Sequence, residues 1–276
     1  MMSRNKRPLL SLLKYVAIIV WLIFVLVPIY TAIIASLTPA SKIGSDFLFL
    51  AHFHWGNYMD LFKQLPFFQY FKSSLIYAVF SSILGVIIAS FAAYALSRYH
   101  FWGKKMFFIA LMVVQTIPQV VIVIPMFVLL NNLGLYDTYI GVILTITAVS
   151  LPLPVLMLQG FFEGLPVALE EAALIDGCNR LGVLYRIVMP LTAPGVMTAF
   201  ALAFFTGWAE YLLPLVLTIS PDKQPLTVGI TSLLDVAPPW QLVMAGTLIS
   251  IIPAVIVYLF VQRYMVQGLT GGGVKG

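Results

Sequence analysis

Apolar residues in this chain come in long runs, and the polar residues gather between them. A membrane-crossing helix needs about 20 mostly apolar residues, because a hydrocarbon layer is about 30 Å thick and each residue rises about 1.5 Å. Six runs reach that length, at roughly 15–37, 74–96, 106–130, 139–160, 193–219 and 242–262. The pattern predicts an all-α integral membrane protein with six transmembrane helices, forming one domain over residues 1–276. The first run follows Arg4, Lys6 and Arg7, as a secretory signal would. It is too long for a signal's apolar stretch and reads as an uncleaved first span. Pro28, Pro118, Pro125, Pro152, Pro154, Pro214 and Pro253 fall inside the runs, where each removes a backbone hydrogen bond and can kink its helix.

One polar interruption, the segment 161–192, contains "EEAALIDGCNRLGVLYRIVMP" at 170–190. Residues 166–176 predict a helix: Pro166 suits a first turn, Glu170 and Glu171 lie where the helix dipole favours anions, and Ala172 and Ala173 are strong helix formers. Gly177 breaks or bends it, and "NRLGVLYRIV" forms a second helix stopped by Pro190. The result is a short helical hairpin. Leu169, Ala172, Ala173 and Asp176 share one face of its first helix, so small and apolar side chains lie beside one acid. Such a face admits close approach by another protein. It also fits a solvated connecting loop.

Composition fixes the solvent. The 276 residues are 61% hydrophobic and only 9% charged, with a mean hydropathy of +1.02, so the surface is covered by lipid. A net charge of +5 raises the question of nucleic acid, but the cations stand singly at the ends of apolar runs and make no basic face. Their distribution gives orientation instead. Eleven of the 15 Lys and Arg residues fall on the side of the termini, the 97–105 loop and the hairpin, while Lys42, Lys63, Lys72 and Lys223 fall on the other. Both termini and the hairpin are therefore assigned to the cytoplasm.

The outer loops differ. Aromatic-rich 38–73 suits a helix lying along the interface, and the turn-rich loop 220–241 offers a surface to an external protein.

Catalytic chemistry is hard to find. Cys178 is the single cysteine, which excludes an intrachain disulfide. His52, His54 and His100 fall short of a zinc site, which needs three or four ligands. Gly103 and Lys104 lack the rest of a phosphate-binding loop, and no metalloprotease or serine-hydrolase motif occurs. The notable polar positions lie in the spans. Glu210, flanked by Trp208 and Tyr211, is a carboxyl group at membrane depth, either a sugar-hydroxyl acceptor, a hinge, an interhelical hydrogen bond or a partner contact. Gln115, Gln119, Asn131 and Asn132 mark the third span in the same way, with interhelical hydrogen bonding as the plainer role.

The spacing of Glu171, Ala172, Ala173, Gly177, Ile187 and Pro190, with Asp176 before the glycine, resembles the EAA signature of permease subunits in binding-protein-dependent ABC importers. Cys178 stands where alanine is common, and Met189 where leucine is. "TGWAEYLLPLVLT" at 206–218 and the C-terminal "VQRYMVQGLTGGGVKG" are similar to the carbohydrate-uptake branch, specifically the six-span second permease of maltose-type importers. Ala209 departs from that branch, which usually has asparagine there.

The resemblance covers essentially the whole chain and implies a type I importer permease fold in a bacterial inner membrane. It implies a cytoplasmic coupling hairpin seated on an ATPase subunit, with Glu170, Glu171, Ala172, Ala173, Asp176, Gly177, Ile187 and Pro190 as the coupling positions. Its expected partners are a second permease, two ATPase subunits carrying ATP and magnesium, and an extracytoplasmic solute-binding protein. The chain itself is expected to hold no cofactor and to catalyse no reaction. A self-contained carrier would need repeated halves and intramembrane ion ligands. The sequence displays no such repeat.

Overall fold

A computed structural model describes residues 7–43, 53–234 and 237–271, with side chains from 11 to 264 within those ranges. Arg4, Lys6, His52, Lys275 and the end of the glycine-rich tail lie outside the described residues. The described chain is helical, without strands. In order come α1 (Arg7–Leu37), α2 (Gly56–Gln64), α3 (Phe67–Arg98), α4 (Lys104–Thr116), α5 (Gln119–Asn132), α6 (Tyr139–Ser150) and α7 (Pro152–Glu163). The hairpin follows as α8 (Val167–Ile175), α9 (Arg180–Val183), a π turn at Leu184–Val188 and α10 (Met189–Leu191). Then come α11 (Ala193–Ala209), α12 (Leu212–Leu217), α13 (Leu226–Thr231) and α14 (Trp240–Gly271).

The chain divides into two compact units, one of residues 1–66 with 230–251 and one of 67–229 with 252–276. In the first, Asn57 at the start of α2 donates to the Ser36 and Thr38 carbonyls at 2.8 and 2.9 Å, tying α2 to the end of α1. Along most of its length α1 is exposed, and burial sets in only at Ile34–Leu37. In the second unit α3 is central and packs against α11, α7 and α6. Its inward stripe is small: Ser74, Ala78, Ser82, Gly85, Ala89 and Ala93 are all buried. Small side chains let helix backbones approach, which is what drives packing where lipid removes the hydrophobic drive between helices. Buried hydroxyls are satisfied locally, as where Ser90 Oγ donates to the Val86 carbonyl at 2.7 Å and Thr145 Oγ1 to that of Gly141 at 2.8 Å.

Among the described residues three helices, α1, α3 and α14, are long and apolar enough to cross a membrane, and three bent pairs bring the number to six if each pair counts as one span. The third and fourth expected spans are such pairs. The third bends by 104° between α4 and α5, and the fourth by 52° between α6 and α7. Pro118 and Pro152 sit at those breaks, whereas Pro28, Pro125 and Pro253 are carried inside continuous helices.

Two expectations are corrected. The run 193–219 is not one helix: α11 stops at Ala209, and Glu210 is extended (φ −65°, ψ 129°). Pro214 has no N–H to offer the Glu210 carbonyl four residues back, and the Thr227 hydroxyl donates to that carbonyl instead, at 2.7 Å. Nor does Pro190 stop the hairpin's second helix. The helical path continues through a π turn, in which the Met189 N–H bonds to the Leu184 carbonyl, and ends at Leu191, where the chain bends by 85° into α11.

Candidate functional site

The hairpin is built as its residue types dictate. At the end of α8 the Cys178 N–H donates to the Ala173 carbonyl at 3.0 Å and the Gly177 N–H to that of Leu174 at 3.1 Å. This is a Schellman cap, and Gly177 fills its left-handed position at φ +90°. Asn179 then caps α9 by accepting from the Gly182 N–H at 2.7 Å.

The two faces of α8 differ in kind. Glu170 and Ala173 point inward and are buried, with Glu170 only 2% exposed. Leu169, Glu171, Ala172, Ile175 and Asp176 are exposed, with Ile175 at 86%. The face expected from spacing is thus split, because Ala173 joins the core and Ile175 takes its place outside. Ile187 and Met189 pack against the same core, and Pro190 is exposed.

Glu170 meets the end of α3. Its carboxylate accepts from Arg98 Nε at 2.5 Å and from the Tyr94 hydroxyl at 2.9 Å. Arg98 Nη2 donates further to the Phe162 and Leu165 carbonyls, at 2.6 and 3.2 Å, closing the end of α7. The planar guanidinium fork is what allows one residue to hold three segments. Around it Arg180 lies over the Tyr99 ring at 5.8 Å, and Phe91 meets Tyr185 edge-on at 5.9 Å. In the sequence Arg98 counted only as an orienting charge. The available signal was an acid in the next loop on the same side.

The membrane-depth candidates only partly converge. Gln119 Nε2 donates to Glu210 Oε2 at 2.9 Å, and Glu210 Oε1 accepts from the Leu213 N–H at 3.1 Å. One carboxyl group therefore caps α12 and binds the first residue of α5, joining the breaks of two spans. Tyr211 and Gln115 are exposed beside these breaks in sequence. Trp208 belongs to the packing: it is buried, stacked on Phe204 at 6.1 Å and edge-on to Phe71 at 5.6 Å. Asn131 and Asn132 are exposed at the far end of α5, about 18 Å along the helix from Gln119.

A third cluster had no counterpart among the sequence candidates. Asp137, at φ 55°, accepts from the Ile219 and Ser220 N–H groups at 3.0 and 3.1 Å, from the Ser220 hydroxyl, and from Lys223 Nζ at 3.0 Å. Burial pulls this carboxyl upward, but the Ser220 hydroxyl and N–H, the Lys223 ammonium and the Ile219 N–H together hold it well below the usual carboxylate range. The hydrogen bond to Asp137 in turn raises Lys223. Beside it, Ser73 Oγ donates to the Asp222 carbonyl at 3.0 Å and the Tyr77 hydroxyl to that of Lys223 at 2.7 Å. Ser74 Oγ accepts from the Leu226 N–H at 2.8 Å. The turn 219–226 is therefore fastened to the start of α3.

Residues 81–271 match the family described as the binding-protein-dependent transport system inner membrane component. The chain belongs to this family. The permease resembles the inner membrane ABC transporter permease protein YcjP of Escherichia coli (strain K12), 34% identical over 280 residues that cover 100% of both chains. It is 31% identical, again over 100% of both, to the arabinooligosaccharides transport system permease protein AraQ of Halalkalibacterium halodurans. In structure it is similar to a chain of a bacterial ABC transporter involved in the import of the acidic polysaccharide alginate, with a TM-score of 0.82, 25% identity and coverage of 96% of this chain and 99% of that one.

Proposed function

We propose that this permease carries a sugar, oligosaccharide or related polyol inward as one half of a heterodimeric translocation pathway, driven by two ATPase subunits and supplied by an extracytoplasmic binding protein. The observation that carries the reading is the two-faced hairpin. Its inner face is locked to the core, while its outer face presents Leu169, Ala172 and Ile175 beside Glu171 and Asp176. Exposed apolar side chains on a polar loop, rimmed by acids, fit a protein partner better than water. Membership of the binding-protein-dependent family supports an ATPase as that partner. ATP and its magnesium then reside on the ATPase subunits, and nucleotide-driven closure moves the hairpin.

The excess of Lys and Arg supports an orientation with the hairpin and both termini in the cytoplasm and the Asp137 clasp on the outer side. Exposed α1 supports a second permease, and the polar break around Glu210, Gln119, Gln115 and Tyr211 supports a pathway wall at membrane depth. Carbohydrate as cargo rests on the relatives that import arabinooligosaccharides and alginate.

The test is co-purification of the tagged chain in mild detergent, followed by uptake in vesicles of the sugars that its captured binding protein binds. Recovery of an ATPase, a second permease and a binding protein, with uptake requiring ATP, is the expected result. Uptake by the chain alone under an ion gradient would sink the reading. Glu171→Lys and Gly177→Pro are expected to leave the chain in the membrane and to abolish ATP-driven uptake, because the first reverses a docking charge and the second removes the N–H and the left-handed residue that make the cap.

A further inference from the structure

We propose that α3 is a transmission rod and that the Arg98–Glu170 ion pair is its joint, handing movement of the coupling helix α8 to the outer turn 219–226. The inference rests on the coupling reading above and assigns Glu170 and Arg98 a role distinct from docking: they are positioning residues that never touch the ATPase. Three observations carry it. Glu170 faces away from the exposed docking face, and its side chain and that of Arg98 are only 3% and 8% exposed. The joint is stiff, because the carboxylate is held by both Arg98 and Tyr94 while the guanidinium also binds two α7 carbonyls. Finally, α3 runs unbroken for 32 residues, about 48 Å, with no internal proline, while the third and fourth spans bend at prolines. Its far end is fastened through Ser73, Ser74 and Tyr77 to the backbone of Asp222, Lys223 and Leu226. A helix clamped at both ends moves those ends together. A displacement of α8 therefore reaches the turn that Asp137 also grips.

The experiment uses the complex purified with its ATPase subunits and returned to lipid. The chain carries Cys178→Ala and Ile219→Cys, since Ile219 is 70% exposed and bonds to Asp137 only through its backbone. Maleimide labelling of that cysteine is timed with and without ATP plus vanadate. In the parent the rate is expected to change about fivefold. Glu170→Gln and Arg98→Lys should retain the ATPase subunits yet cut the change below about twofold. A role confined to stability would lower the yield of complex and leave the fivefold change in whatever assembles; that result overturns the proposal, as does an unchanging parent.

If both variants fail to assemble, Tyr94→Phe, which keeps the ion pair and removes one bond to Glu170, carries the test. A diminished response supports the joint, and an undiminished one overturns it. Loss of the ATPase from the parent itself would remove the coupling reading, and the rod with it.

Discussion

Glu170, Glu210 and Asp137 are acids that this apolar chain accommodates by three different means, and each predicts a different sensitivity. Glu170 is paired with a buried arginine, Glu210 accepts from an amide and a helix N–H, and Asp137 accepts from two N–H groups, a hydroxyl and an ammonium. Glu210→Ala leaves the Gln119 amide and the Leu213 N–H without their acceptor, at an expected cost of about 1–3 kcal/mol. Glu210→Gln restores one acceptor and should recover part of it. Thermal unfolding of the detergent-solubilised chain measures both, and equal midpoints for Glu210→Ala and the parent would contradict the capping role.

For Asp137 the sign is fixed by its depressed folded pKa: the stabilisation is present above the unfolded carboxylate range near 4 and disappears as pH falls through the lower folded value. Asp137→Asn should therefore lower the unfolding midpoint by about 3 °C at pH 7, with a deficit that stays level from pH 8 to pH 5 and narrows only below about pH 4. A deficit that changes between pH 6 and 8 would point to a different group.

Helices pack here through small residues, and the α3–α11 contact shows how little tolerance that leaves. A Cβ added at Gly207 would lie 2.8 Å from Ser81 Oγ and 3.0 Å from the Ala78 Cα, the latter being backbone that cannot swing aside. Gly207→Leu is expected to cost about 3 kcal/mol or more by overpacking and to lower the yield of monodisperse protein in size-exclusion chromatography, while Gly207→Ala should do so more mildly. In the sequence the run that becomes α3 reads only as a span by its length, and the small stripe of Ser74, Ala78, Ser82, Ala89 and Ala93 that makes it central emerges with the packing. Long apolar runs announced the spans, because lipid demands helices of that length. The breaks were harder to read. Proline stands at the interruptions and inside intact helices alike, since whether the freed carbonyl finds another donor, as Glu210 finds Thr227, depends on a residue far along the chain. The hairpin's turn was written locally in Gly177, whereas which of Glu170 and Glu171 faces inward was decided by Arg98, 72 residues away.

Across the molecule the polar ties sort the loops into two sets. Arg98, Tyr99, Phe162, Glu170 and Arg180 meet at one end of α3, and Ser73, Tyr77, Asp137 and the 219–226 turn at the other. This is the alternation that six crossings require, and the charge bias chooses between its two orientations. Alkaline phosphatase, which folds to an active enzyme only outside the cytoplasm, should be active when fused after Asp137 or Asp222 and inactive after Trp102 or Gly177. A fluorescent protein that matures only in the cytoplasm should report the reverse. The opposite pattern would put the exposed face of α8 outside, beyond the reach of a cytoplasmic ATPase, and would overturn the coupling reading without disturbing any contact within the fold. The membrane orientation therefore decides whether the Arg98–Glu170 end receives the energy of ATP or the cargo from outside.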